Sequence, residues 1–417
     1  MAASVASLAV TFGVVGLGRT GNAVLVVAAY CLPIVVVEAL AFHVYRNPST
    51  GLDFARKRRR STSRILTKLL GLGFIFGLVA LVYWLFPLYR SPFYSPFFDL
   101  LRYLAPVVVC GSIPYFIWID RYLPAGVDAY WHLGRALSGR WRTVDWRMIG
   151  QLLLGWLVKV FFLPLMFPSL VGNIESMRAQ TLGSANHLSA AFAAYSSGGL
   201  FTADLMIAAT GYLLTLRVLD SHVRSTEPTL SGWVVTIICY QPFWDFISGS
   251  YLNYFGPMGR SWQWTFQNNV VLVGIWGTLI AALLTVYVWA SVEFGIRFSN
   301  LTNRGVLTRG PYAWMKHPAY ITKNLSWWLA TVPVLFTAPP GECVRYLLLL
   351  VLESTVYFLR ARTEERHLSR DPVYRQYALA MNDRGLFAWL GRLVPYLRYD
   401  PGRYLRKPVA GAAGKAD

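Results

Sequence analysis

The sequence predicts an all-α fold, a polytopic transmembrane helical bundle of about ten spans with interfacial helices. Three observations predict it. Of the 417 residues, 55% are hydrophobic and only 14% charged, whereas an ordinary soluble domain carries about 25% charged residues. Several apolar runs exceed the ~20 residues that a hydrocarbon core requires. The basic residues punctuate those runs instead of gathering on one solvated face.

Taken in order, spans are expected near 2–18, 22–45, 65–88, 98–120, 148–171, 199–219, 230–252, 268–294, 319–337 and 343–360. The first is short but has neither a charged leader nor an A-x-A cleavage site, so it reads as a helix rather than a signal peptide. Gly73 and Gly77 form a small-xxx-small pair, which suits close helix packing in a membrane. The segment 121–147 places Tyr130, Trp131, Trp141 and Trp146 among arginines, and 378–399 carries Leu386, Phe387, Leu390, Leu393, Val394 and Leu397 at helical spacing. Both read as interfacial helices. Three regions follow: 1–265, N-terminal transmembrane helices forming a lipid-substrate or accessory region; 266–400, a C-terminal core; and 401–417, a tail.

The net charge of +19 could suggest nucleic acid, but no basic face interleaved with stacking aromatics is present. With ten spans, 32 of the 39 basic residues fall on the side that holds both termini, and six fall on the other, Lys159 lying within a span. That asymmetry predicts a multi-pass protein with both termini cytoplasmic. A bacterial inner membrane and an endoplasmic reticulum remain alternatives, and the oligomeric state stays open. Cys31, Cys110, Cys239 and Cys343 lie far apart in or beside apolar runs, so they offer no zinc, haem or iron–sulfur spacing and read as small core residues.

Polar residues cluster most densely on either side of the last expected hairpin. Before it runs Leu307-Thr308-Arg309-Gly310-Pro311-Tyr312-Ala313-Trp314-Met315-Lys316-His317-Pro318-Ala319-Tyr320. After it runs Arg360-Ala361-Arg362-Thr363-Glu364-Glu365-Arg366-His367-Leu368, then Tyr374 and Tyr377. The turn Ala338-Pro339-Pro340-Gly341 between them returns the second segment to the first. Taken singly, the first element also fits a kinked helix entry, and the second a solvated ion-pair network. Together they bring a basic and histidine cluster to a carboxylate pair at one membrane surface.

These two elements resemble the G-x-Y-x-x-x-R-H-P-x-Y and R-x-x-x-E-E-x-x-L…Y-x-x-Y elements of integral-membrane methyltransferases of the isoprenylcysteine carboxyl methyltransferase type. Phosphatidylethanolamine N-methyltransferases are more distant relatives. The resemblance covers roughly 270–395 and rests on Gly310, Tyr312, Lys316 (Arg in the family), His317, Pro318 and Tyr320, then Arg360, Glu364, Glu365, Leu368, Tyr374 and Tyr377. Thr322 stands where the family usually has Gly, and Asp371-Pro372 stands for a common Phe-Gly.

The resemblance implies S-adenosyl-L-methionine as cofactor and a lipid or isoprenoid substrate. It places the cofactor at Gly310, Tyr312, Lys316, His317, Pro318, Tyr320, Glu364, Glu365, Tyr374 and Tyr377, and catalysis at His317, Arg360, Arg362 and Glu364. The residue types agree with that chemistry. Glu364 and Glu365 suit the cofactor's positive groups; His317, Lys316 or Arg362 suit its carboxylate; Tyr312, Tyr320, Trp314 or Trp327 could face the adenine or sulfonium. Methyl transfer needs positioning and exclusion of water above all. A carboxylate acceptor needs only an orienting cation such as Arg360 or Arg362. A hydroxyl or amine needs a base, for which His317, His367 or a glutamate are candidates.

Two other functions compete. Membrane sterol reductases also carry an R-H-x-x-Y element and a late acidic element, which would make NADPH the cofactor; Glu364-Glu365 with Leu368 favours the methyltransferase form. The ionisable residues within expected spans, Glu38, Lys159, Asp204, Asp245, Glu293 and Glu353, suit a transporter, although no matching broken helices in two halves suggest an inverted repeat. The aromatics Tyr83, Trp84, Phe86, Tyr115, Phe116, Trp118, Phe161 and Phe162 in the N-terminal region fit either core packing or an acceptor cleft leading toward His317 and Glu364.

Overall fold

A computed structural model describes residues 18–181, 192, 194–244 and 261–404. The expected first span, Asp245, the end of the 230–252 span and the tail from 405 onward lie outside the described residues. The chain divides into two compact units: Met1–Asn186 with Ala193–Thr226 and Gly295–Arg304, and His187–Phe192 with Glu227–Phe294 and Gly305–Asp417.

The first unit contains α1 (Gly18–Val36), α2 (Thr62–Leu85), α3 (Ser95–Tyr122), α4 (Ala129–Leu137), α5 (Trp146–Thr181) and α6 (Phe201–Leu213). Its small strands β1 (Ser225–Thr226) and β2 (Thr302–Asn303) pair antiparallel. Polar caps start α2 and α4: the Ser61 side chain accepts from the Arg64 N–H, and Asp128 accepts from the Trp131 N–H. α2 and α4 touch backbone to backbone. A Cβ at Gly71 would collide with the Tyr130 carbonyl, and one at Gly134 with the Thr67 carbonyl. Gly73 and Gly77 face open space, so the helix contact falls at Gly71 and not at the expected pair.

Around Asp120 the charges of this unit are paired, whereas Lys159 sits over the Trp156 ring at 4.4 Å. Asp120 accepts two hydrogen bonds from the Arg64 guanidinium at 2.9 Å and one from the Ser61 N–H at 3.1 Å. The fully buried Lys68 ammonium lies 3.3 Å from Asp128 and 3.8 Å from Asp120. Arg304 donates to the carbonyls of Gly211, Ile296 and Phe298 and to Thr215. Of the expected aromatic set, Phe116 and Phe162 are buried, whereas Trp84 and Phe86 are exposed. Cys110 is exposed on α3, not buried as expected.

The second unit contains α7 (Leu230–Ile237), α8 (Trp262–Thr265), α9 (Val270–Phe294), α10 (Pro318–Leu335), α11 (Pro340–Leu368), α12 (Pro372–Arg384) and α13 (Ala388–Leu393). Trp276 Nε1 donates to the Leu329 carbonyl at 2.6 Å and joins α9 to α10. Trp328 Nε1 donates to Ser354 Oγ at 3.0 Å and joins α10 to α11. These two helices form an antiparallel hairpin, turned at residues 336–339 and restarted by Pro340 at the first helical position.

The fold is an all-α membrane bundle, as expected. Among the described residues, five helical segments are long and apolar enough to cross a membrane: Gly18–Ala41, Thr62–Leu85, Pro92–Tyr122, Trp146–Met177 and Val270–Arg297. The expected ten include stretches within 1–17 and 245–260, which lie outside the described residues. α7 has 8 residues, too few at about 1.5 Å per residue for a ~30 Å hydrocarbon core, while α6 has 13 and continues directly from a π-helical segment at Ala194–Leu200. α10 and α11 are continuous but carry Lys323, Glu353 and the charged run from Arg360 to Arg366. In the interfacial segments, Trp141, Trp146, Leu386 and Leu393 are exposed, as amphipathic surface helices require.

Candidate functional site

The site is built where the hairpin's two open ends meet. Gly310 adopts φ +55°, and a Cβ there would collide with the Glu293 carboxylate, so glycine is required on both counts. Glu293 itself accepts from Trp289 Nε1 at 2.9 Å. The turn that follows is fixed by Tyr377, whose hydroxyl donates to the Tyr312 carbonyl at 2.7 Å. Pro318 then opens α10, setting Lys316 and His317 just before it and Tyr320 in its first turn. The last turns of α11 bring Arg360, Arg362, Glu364 and Glu365 alongside.

The two adjacent glutamates have different environments. Glu365 is 3% exposed at its side chain. It accepts from Lys316 Nζ at 2.7 Å, Arg362 Nη1 at 3.0 Å and Tyr404 Oη at 3.0 Å, with His317 Nε2 at 3.4 Å. Burial alone would raise its carboxyl, but the His317 hydrogen bond and the Lys316 charge hold it down at about 2. Glu364 is 37% exposed. It accepts from Tyr320 Oη at 2.8 Å and lies 4.0 Å from His317 Nδ1. The His317 and Tyr320 rings stack, with centroids 5.7 Å apart and planes 5° apart.

Arg360 points elsewhere. It is buried, over the rings of Tyr240 at 5.5 Å, Tyr320 at 5.0 Å and Tyr357 at 5.8 Å. Tyr374 and Tyr377 are also buried, packed with Ala378, Met381 and Tyr399. They support the loop and do not line an open surface. Burial pushes the phenols of Tyr312, Tyr374 and Tyr377 up. His367, on the far side of α11, is buried and its imidazole falls to about 4 by desolvation.

The structure thus gathers Lys316, His317, Tyr320, Arg362, Glu364 and Glu365, with Pro318 setting the helix entry. It leaves Arg360, Tyr374 and Tyr377 in neighbouring packed layers, with Gly310 and Tyr312 in the supporting turn. Two substitutions relative to the family elements are accommodated locally. Thr322 is buried and donates to the Pro318 carbonyl at 2.8 Å. Asp371 caps α12 by accepting from the Val373 N–H at 2.9 Å, with Pro372 at the first helical position. Tyr404 and Tyr399 were absent from the sequence expectation. Ser369 Oγ shares a 2.8 Å hydrogen bond with Tyr399 Oη, and the signal that could have found both is the aromatic and arginine spacing of 395–404.

Residues 272–370 match the isoprenylcysteine carboxyl methyltransferase (ICMT) family. The matched stretch runs from α9 through the first element and the Arg360–Leu368 part of the second, stopping before Tyr374 and Tyr377, and supports a membrane methyltransferase in general. No curated protein and no solved structure matches the chain.

Proposed function

We propose that the protein catalyses S-adenosyl-L-methionine-dependent methyl transfer to a lipid or prenyl-chain acceptor at the cytoplasmic membrane interface. The observation that carries this reading is the division of labour between the glutamates. Glu365 is saturated by Lys316, Arg362, His317 and Tyr404, so its role is to hold those side chains in place. Glu364, part-exposed and bonded to Tyr320 alone among hydroxyl donors within the described residues, keeps a lone-pair face for an incoming ammonium. The donor set therefore fits the cofactor's cationic end. When bound, the cofactor would supply the methyl group.

The chain's own residues then do the positioning. The stacked His317 and Tyr320 rings give a flat wall for an aromatic base or a sulfonium. Lys316 and Arg362, neutralised by Glu365, set the local charge near balance, so that a cofactor carboxylate is not repelled. Exposed aromatic and aliphatic side chains such as Trp314 and Leu386 beside this end suit an interface where an acceptor arrives from lipid and the cofactor from water.

Incubation of the detergent-purified protein with total lipid extract and methyl-labelled S-adenosylmethionine tests the reading. Label is expected in the organic phase; label confined to water-soluble products would contradict it. The same reading has both ends of the chain cytoplasmic, so reporters fused after residue 60 and after residue 410 should score on one side.

A further inference from the structure

Three of the membrane-crossing segments of the first unit have an end at Thr62, Tyr122 or Trp146. The stretches beside those ends, 53–68 and 120–148, carry twelve lysines and arginines against four aspartates. Each of the four aspartates is already engaged. Asp120 accepts from Arg64 and Ser61, and Asp128 caps α4 beside Lys68. Asp53 Oδ1 accepts from the N–H groups of Ala55 and Arg56, and Asp145 Oδ1 from those of Arg147 and Met148. Arg56, Lys57, Arg59 and Arg60 are all exposed, and no carboxylate among the described residues pairs with their side chains.

This charge run is pinned in place. The Asp53 N–H donates to the Tyr122 carbonyl at 2.8 Å and the Arg58 N–H to the Arg121 carbonyl at 2.9 Å, so the loop lies along the C-terminal end of α3. Arg58 Nη1 donates to the Pro124 carbonyl at 3.0 Å, and Arg64 Nη2 to the Arg59 carbonyl at 2.8 Å. Membrane orientation needs the positive charge of such a loop but not its fixed backbone, and holding like charges together is unfavourable unless an anion meets them. Leu137, Trp141, Trp146 and Met148 are also exposed, interleaved with the exposed Arg140, Arg142 and Arg147. Exposed tryptophans at the ends of membrane spans mark the depth of the lipid head groups. At that depth a guanidinium fork matches the oxygens of a phosphodiester.

We propose that the pinned loop carrying Arg56, Lys57, Arg59 and Arg60 holds the head group of an anionic phospholipid at this edge of the first unit. The site is separate from the methyltransferase reading and stands without it. A zwitterionic phospholipid fits less well, because its ammonium finds no disengaged carboxylate in these stretches and is repelled by the surplus of cations. A lipid is favoured over a nucleic acid because the loop ends one residue before a membrane span begins at Thr62, which puts its side chains among the lipid phosphates.

Native mass spectrometry of the protein released from nanodiscs of equal phosphatidylglycerol and phosphatidylethanolamine tests the proposal. The retained lipid is expected to be enriched in phosphatidylglycerol by at least about five-fold, the preference that a single basic residue beside an anionic surface gives. Arg59→Gln combined with Arg60→Gln should bring that enrichment down several-fold. Arg384→Gln combined with Arg392→Gln removes the same charge from exposed positions of the second unit and should leave it in place. Equal retention of the two lipids by the unmodified protein would overturn the proposal, as would equal losses in the two double variants, which would reduce the loop to undirected attraction. Neither millimolar inorganic phosphate nor a single-stranded oligonucleotide should strip the lipid; displacement by either would assign the loop to that soluble anion and overturn the lipid site. Should the loop variant not fold, the unmodified protein's enrichment and the two competitions decide.

Discussion

Two buried charged groups, one in each unit, show how differently a helical membrane protein can use ionisable side chains. In the first unit, Lys68, Arg64, Asp120 and Asp128 are matched, each carboxylate lying within 4 Å of a cation. In the second, Lys323 and Glu353 occupy one hairpin without meeting, and Glu353 keeps an oxygen that nothing in the described structure serves. Matched charges hold a fold together, while unmatched ones are retained at a cost.

Removing one partner from each group breaks the comparison most sharply. Asp120→Ala leaves Lys68 and Arg64 without their shared carboxylate and should destabilise the protein by about 3–5 kcal/mol. Glu353→Gln removes an unserved charge and should leave stability unchanged or raise it. Thermal unfolding in detergent reads both; a large loss from Glu353→Gln would make that glutamate structural and erase the distinction.

A smaller effect tests the packing around the matched group. Gly71→Val drives a side chain into the Tyr130 backbone and should cost about 1–3 kcal/mol. Gly73→Val, facing open space, should change stability by less than about 0.5 kcal/mol. Equal losses would return the helix contact to the Gly73 and Gly77 pair.

The third prediction concerns pH. The Glu365 carboxyl is lowered from an ordinary 4.5 to about 2 in the folded protein. Its stabilising contribution is therefore fully present above about pH 4.5 and disappears as pH falls toward 2. Between those limits the unmodified protein should lose stability more steeply than Glu365→Gln, which has no such proton to take up. Parallel pH profiles would mean that the Lys316, Arg362 and Tyr404 contacts do not hold the carboxylate in solution.

Much of this was legible in the sequence because it rests on local chemistry. Helix type, the hairpin turn and the meeting of Lys316 and His317 with Glu364 and Glu365 follow from hydropathy, proline placement and spacing. The helix ends were not legible, because hydropathy does not show where a helix stops: α7 ends at Ile237, within a run that stays apolar beyond it. Nor could sequence separate Glu364 from Glu365. Adjacent residues on a helix point about 100° apart, and only the surroundings show that one side chain faces Lys316 and Tyr404 while the other remains part-exposed. Tyr404 escaped notice since it lies in a stretch that reads as a tail.

The central claim is that Glu364 meets the cofactor while Glu365 only holds the site in shape. Calorimetric titration of the purified protein and its Glu364→Gln and Glu365→Gln variants with S-adenosylhomocysteine tests it most directly. Glu364→Gln is expected to weaken binding by about 1–3 kcal/mol, the scale of a lost charge-assisted hydrogen bond, with its unfolding temperature unchanged; Glu365→Gln should lower the unfolding temperature as well. Unaltered affinity in a stably folded Glu364→Gln variant, or no binding to the unmodified protein, would contradict the account.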